Sequence, residues 1–180
     1  KKAGEIQSHL RSLISCPLGV YHYTVYEASG IKSFADLKGK KVFVGPPGGI
    51  ATKIGCEVIQ GSTGLVCDKD YTLARFDWTS APPAFLDRQI QLIGIPTNAP
   101  APQIQEYALS GKLRFLDITD EALKTDELKK VMAVPGRTIE RWDPLVYGQD
   151  KVANTGPINV IGVWLHIGTH DKLPEEVGYN

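Results

Sequence analysis

A short apolar run that ends in a glycine-rich turn is the feature that most constrains the fold of this chain. Residues 42–44 are valine and phenylalanine, which is typical of a buried strand. Gly45–Gly49 interrupts the run, and Ile50, Ile54 and Val58 then recur at helical spacing. Such a turn leaves amide N–H groups at a helix N-terminus without intrahelical partners, where the helix dipole favours negative charge. The stretch predicts either an anion-binding turn or an ordinary strand-to-helix connection.

The remaining pattern alternates between strand-like and helix-like segments, which predicts an α/β fold with a mostly parallel sheet and helices on both faces. Residues 158–167 are almost continuously apolar and are therefore expected to be buried on both faces. Ligands of such folds bind beyond the carboxyl ends of the strands, where the turns 45–49 and 96–100 are expected. The predicted strands are 20–26, 42–44, 71–76, 90–95, 113–118 and 158–167; helices are predicted over 3–15 and from about 49, 80, 101 and 119, and 138–147 is predicted to be irregular.

Composition excludes several classes of protein. Twenty basic and twenty acidic residues cancel, so the chain lacks the basic footprint of a nucleic-acid binder. It has no run of 18 apolar residues, so no transmembrane helix is expected. The chain begins with Lys1 and not methionine, and we expect a fragment or a processed chain of one lobe with pieces of another.

Catalytic and metal-binding patterns are weak. The serines form no G-x-S-x-G motif, and His166 and His170 do not match H-E-x-x-H. The sequence therefore predicts no catalytic residue, no metal and no cofactor. A disulfide between Cys56 and Cys67 can form if the compartment is oxidising, and three buried or unpaired thiols, including Cys16, are the alternative.

Several segments resemble the TAXI-type receptors, the extracytoplasmic solute-binding proteins of one branch of the TRAP transporters. The likeness runs from about Leu10 to Asn180, and its most specific part is the stretch Ser29–Gly48. The supporting segments are Gly61–Leu65, Ile90–Pro100, Tyr147-Gly148 and Leu173–Val177.

The resemblance implies a type II periplasmic-binding-protein fold, in which two α/β lobes joined by a hinge enclose a small solute. Residues 1–31 would be part of lobe one and the hinge, 32–134 a complete lobe two, and 135–180 the return to lobe one. It also implies secretion to the periplasm, integral-membrane TRAP subunits as partners, a small anionic solute such as a carboxylate or amino acid, and no enzymatic activity.

The resemblance also implies the residues that contact the solute. Backbone N–H groups after the two prolines and the Thr52 hydroxyl would bind the anion, two polar residues would come from the neighbouring turn, and a tryptophan would shape the pocket. These residues are Gly48, Gly49, Ile50, Ala51, Thr52, Thr97, Asn98 and Trp78. The alternative hypothesis is an α/β enzyme acting on a phosphorylated or carboxylated small molecule.

Overall fold

A single seven-stranded sheet with helices against both faces forms the body of the protein. The structure, a computed structural model, describes residue 4 and residues 8–178. The strands are β1 (Leu10–Tyr26), β2 (Lys41–Phe43), β3 (Thr72–Leu73), β4 (Leu92–Thr97), β5 (Leu113–Phe115), β6 (Arg137–Trp142) and β7 (Ile158–His170).

Helices follow most of the strands. The α-helices are α1 (Ile50–Thr63), α2 (Ala81–Leu86), α3 (Pro102–Leu109), α4 (Asp120–Leu123), α5 (Asp126–Met132) and α6 (Glu175–Gly178). Short 3₁₀ turns lie at Glu27–Ser29, Phe34–Leu37 and Pro144–Tyr147. Among the described residues, no helix combines the length and the apolar character that crossing a membrane requires.

The sheet is mixed, which corrects the prediction of a mostly parallel sheet. Its order is β3-β2-β4-β1-β7-β6, and β5 pairs with β1. Among the strands of the described residues, β2 alone runs parallel to its neighbours, which are β3 and β4. The pairs β1–β4, β1–β5, β1–β7 and β6–β7 are antiparallel. A helical crossover makes the two strands that it connects parallel, whereas β1 and β7 run antiparallel to the strands beside them. The sequence pattern does not show which strands pair, so it could not reveal this.

Alternation along the strands divides the core into two apolar clusters, one on each face. Val42 and Val44 lie in the cluster with helices α1, α4 and α5, whereas Phe43 lies in the cluster with α2 and α3. Leu92 and Ile93 of β4 separate in the same way. The α/β class and the placement of helices on both faces are therefore confirmed.

The two longest strands extend beyond the body as an antiparallel ribbon. Residues 10–20 of β1 pair with residues 170–162 of β7, with irregularities near Leu13 and Leu18. The ribbon is largely exposed, so the prediction that 158–167 is buried on both faces is right only for Ile158–Gly162. The predicted helix 3–15 is wrong from Leu10 onward, and 1–3 and 5–7 lie outside the described residues. Pairing with β7 overrides the helical spacing of these residues.

Three other assignments are refined. Residues 138–147, predicted to be irregular, contain most of β6 and a 3₁₀ turn. The strand predicted over 71–76 is only two residues long. Cys56 and Cys67 are joined in a disulfide, and Cys16 is free. The lobe boundaries 1–31, 32–134 and 135–180 stay a prediction, although strands from all three segments share the one sheet.

Candidate functional site

A cavity of about 410 Å³ lies where the first turn of α1, the start of β6 and the base of the ribbon meet. It opens at the carboxyl ends of the parallel strands β2 and β4, the edge at which α/β folds place ligands. Its walls are mostly apolar. The lining residues are Leu18, Tyr21, Ile50, Ala51, Ile54, Trp78, Pro96, Val134, Pro135, Gly136, Arg137, Val163, Trp164 and His166.

The glycine-rich turn brings β2 unusually close to α1. Gly45 has φ +135°, and a Cβ there would lie 2.7 Å from the Cβ of Ala51 and from the Thr52 nitrogen. Gly55, one turn further along α1, leaves no room for a Cβ beside Val44. Helix α1 therefore begins directly against the end of the strand, because glycine allows this approach.

Two of the predicted anion donors are used within the turn itself. The Pro46 carbonyl accepts the Gly49 N–H at 3.1 Å and the Thr52 hydroxyl at 2.7 Å. The first intrahelical bond runs from Lys53 N–H to Gly49 O at 3.3 Å. The amides of residues 50–52 precede that bond and mark the positive end of the helix dipole.

The structure brings together only some of the predicted binding residues. Ile50, Ala51 and Trp78 line the cavity, and the Trp78 ring stands edge-on to Phe43 at 5.4 Å. Of the second predicted turn, residues 96–100, Pro96 lines the cavity wall. Outside the lining lie Gly48, Gly49, Thr52, Thr97 and Asn98, and their contact with a solute stays a prediction. Thr97 is paired with Val20 in the sheet, and Asn98 is exposed.

The principal charge in the wall belongs to Arg137 at the start of β6. Its side chain is only 5% exposed. One guanidinium nitrogen, Nη1, donates to Glu57 Oε2 at 2.7 Å and to the Val131 carbonyl at 2.9 Å. The opposing carboxylate on α1 is 32% exposed and so remains partly solvated. A guanidinium held in this way is ordered without a ligand, and the Glu57 carboxylate offsets part of its charge.

Two further polar side chains line the cavity. Burial raises the pKa of Tyr21 to about 12, against the opposing influence of Arg137, so its hydroxyl stays protonated at neutral pH. The His166 Nδ1 lies 2.8 Å from the Ser15 hydroxyl on the exposed ribbon. The cavity thus combines hydrogen-bond donors and positive charge with apolar walls, which suits a small molecule with an anionic group.

The position of Arg137 in the cavity wall could not be predicted from the sequence, because no local pattern marks the residue as buried. The residue follows a Pro-Gly turn, and an arginine after a turn is usually solvated. Only the packing of β6 against β7, and of Glu57 on α1 against the same point, buries the guanidinium. Trp164 and His166 were likewise assigned to a buried strand, and the ribbon turns them toward the cavity instead.

Comparison with solved structures returns periplasmic binding proteins at low similarity. The periplasmic aliphatic sulphonate binding protein SsuA from Escherichia coli is 25% identical, with a TM-score of 0.47, over 63% of this chain and 38% of that one. The alkanesulfonate-binding protein SsuA from Xanthomonas axonopodis pv. citri, bound to MOPS, is 24% identical, with a TM-score of 0.46 and the same coverage.

A TRAP periplasmic solute-binding protein from Ralstonia eutropha, with bound (S)-2-acetolactate, is 12% identical, with a TM-score of 0.44, over 94% of this chain and 37% of that one. The chain therefore spans less than two fifths of the length of these structures. No curated protein matches it. The profile of the NMT1-like family matches residues 2–180, nearly the whole chain, and the protein belongs to that family.

Proposed function

We propose that this chain is part of an extracytoplasmic solute-binding receptor that captures a small anionic solute, a carboxylate or an amino acid. The observation that carries the proposal is the buried Arg137 in the wall of a mostly apolar cavity, beside the first turn of α1. A guanidinium and the N-terminus of a 14-residue helix both favour a negative group. The apolar walls would hold the rest of the solute.

The proposed organisation is that of a two-lobed receptor. The ribbon formed by β1 and β7 has the exposure expected of a hinge that leaves one lobe, as in the predicted segments 1–31 and 135–180. The cavity lies at the base of that ribbon, where a second lobe would close over a solute. Integral-membrane subunits of a TRAP transporter, and membership of its TAXI branch, are part of the same proposal.

A periplasmic location is supported by the Cys56–Cys67 disulfide. Disulfides persist in oxidising compartments and are rare in the cytosol. The bridge ties α1 to the loop before β3, within the unit that forms the cavity. We infer a secreted protein on this ground.

The test is a panel of small carboxylates, amino acids and sulfonates applied to the full chain, read by thermal unfolding and by isothermal titration. A ligand present at 100 times its dissociation constant stabilises the folded state by about 2.7 kcal/mol. For a chain of this size that corresponds to a rise in Tm of roughly 5–10 °C. An uncharged analogue of the same shape should give a much smaller shift.

Three variants separate binding from stability. Arg137→Gln should weaken binding about 10- to 100-fold, since a charge-assisted bond contributes about 1.5–3 kcal/mol. Arg141→Gln, the same change on the exposed part of the same strand, should leave affinity unaltered. Glu57→Gln removes the carboxylate that pairs with Arg137 and leaves the positive charge of Arg137 in place, so the affinity for an anion should be retained or increased. Equal loss in all three variants, or no response to any anion, would refute the proposal.

A further inference from the structure

The far end of the ribbon carries a cluster of metal-ligating side chains that the solute cavity does not use. Leu10, at the start of β1, pairs with His170, at the end of β7. Asp171 follows His170, and its backbone N–H donates to the His9 carbonyl at 2.8 Å. This pairing sets two imidazoles and a carboxylate side by side. Among the residues that the structure describes, they form the one group of three with ligand atoms within 4.8 Å of one another.

The contacts within the cluster are short. His9 Nδ1 lies 2.8 Å from Asp171 Oδ2, and His170 Nδ1 lies 2.8 Å from Asp171 Oδ1. The two rings are stacked, with centroids 5.2 Å apart and planes 7° apart. Each ring nitrogen thus faces a different oxygen of one carboxylate.

The His170 contact with Asp171 involves a ring nitrogen that a backbone N–H also approaches. The Lys172 N–H donates to His170 Nδ1 at 3.2 Å, so that nitrogen acts as an acceptor. Asp171 Oδ1, also an acceptor, faces the same nitrogen without hydrogen-bond geometry. A Nδ1 lone pair that accepts this N–H is also available to a metal ion, and the Asp171 oxygen beside it is a second ligand atom.

We propose that His9, His170 and Asp171 bind a divalent transition-metal ion of the Zn²⁺, Ni²⁺ or Cu²⁺ class. Imidazole nitrogens with a carboxylate oxygen are ligands of these ions, and three protein ligands leave a position for water. A tetrahedral site with bonds of about 2.0–2.1 Å requires ligand atoms roughly 3.3 Å apart. The two imidazole–carboxylate distances are 2.8 Å and all three ligand atoms lie within 4.8 Å of one another, so the required spacing lies within the range that the cluster already spans.

Arg11 opposes the metal and thereby provides a diagnostic variant. Its Nη2 lies 3.8 Å from Asp171 Oδ2, while Nη1 is held by the carbonyls of Ser8 and Leu10 at 2.8 and 2.9 Å. A guanidinium so close repels a divalent cation. Replacing it should therefore strengthen metal binding, whereas a site that involves other residues would not respond.

The experiment uses the full chain without a polyhistidine tag, with Zn²⁺ titrated at pH 7.5 by calorimetry. We expect one ion per chain, an affinity at least tenfold lower in His9→Gln and Asp171→Asn, and a higher affinity in Arg11→Gln. His166→Gln, an exposed imidazole on the same strand, is the matched control and should bind Zn²⁺ like the parent. With Cu²⁺, electron paramagnetic resonance should show two coupled nitrogens in the parent and one in His9→Gln.

Two results would overturn the proposal. The first is the absence of saturable binding, which would show that the cluster is only a set of hydrogen-bonded surface side chains. The second is binding that falls equally in His166→Gln, which would place the ion elsewhere.

Discussion

Acid should destabilise this protein through one buried histidine. His22 lies in β1 with no exposed surface. Its Nδ1 bonds to the Val20 carbonyl at 3.0 Å, and its Nε2 lies 2.9 Å from the Tyr147 hydroxyl. That hydroxyl accepts the Ala101 N–H at 3.0 Å, so its own proton goes to Nε2. The imidazole is therefore neutral, with its proton on Nδ1, and a second proton would meet that of Tyr147.

Burial lowers the pKa of His22 to about 4, although backbone bonds to Val20 and Ile95 favour the charged form. In the unfolded chain the pKa is about 6.5. Between these two values the unfolded state binds the proton and the folded state does not, so stability falls as the pH falls from 6.5 to 4. The two pKa values of His22 differ by about 2.5, which corresponds to about 3 kcal/mol of unfolding free energy. About 2 kcal/mol of this is lost between pH 7 and pH 5.

The assay is urea unfolding of the parent and of His22→Gln at pH 7, 6, 5 and 4.5. Glutamine does not titrate, so the difference in unfolding free energy between the two proteins should shrink by about 2 kcal/mol from pH 7 to pH 5. Taking the difference removes the other acid-sensitive groups, including Asp117, whose pKa is raised by burial and whose effect has the opposite sign. A difference that does not vary with pH would refute the reasoning.

Two further predictions concern stability. Replacing both Cys56 and Cys67 by serine opens a loop of 11 residues and should cost about 3 kcal/mol, measured by urea unfolding; an equal loss in the parent on adding reductant would support it, and no loss would contradict it. Gly55→Ala should destabilise by about 1–3 kcal/mol despite the better helix propensity of alanine, because its Cβ would lie 2.4 Å from the Val44 Cβ. Gly156→Ala, with open space around the Cβ, is the matched control and should be nearly neutral.

The strand, turn and helix at residues 42–63 were predictable because their signals are local. A β-branched run, a glycine-rich break and apolar residues at helical spacing act within a few residues of one another. The structure places β2, the turn and α1 there. The same reasoning failed at residues 10–15, where exposed residues of the ribbon happen to have helical spacing.

Some residues of the candidate site could also be predicted from the sequence, and others could not. Ile50 and Ala51, expected beside the turn, and Trp78, expected to shape the pocket, do line the cavity. Arg137 was not expected there, and Thr97 lies outside the lining. Gly49 and the Thr52 hydroxyl illustrate a second limit, because the turn uses the donors that a ligand was expected to take. Proximity in sequence places a residue near a site but does not decide where its hydrogen bonds go.

The sequence by itself determined the α/β class and the glycine turn that starts α1, since those follow from local propensity and periodicity. Only the tertiary structure decided the direction of the strands, the exposed ribbon and the charge in the cavity wall. The physical reason is that strand pairing and burial are contacts between residues far apart in the chain. Arg137 meets Glu57 because β6 pairs with β7 beside α1, and His9 meets Asp171 because β1 pairs with β7.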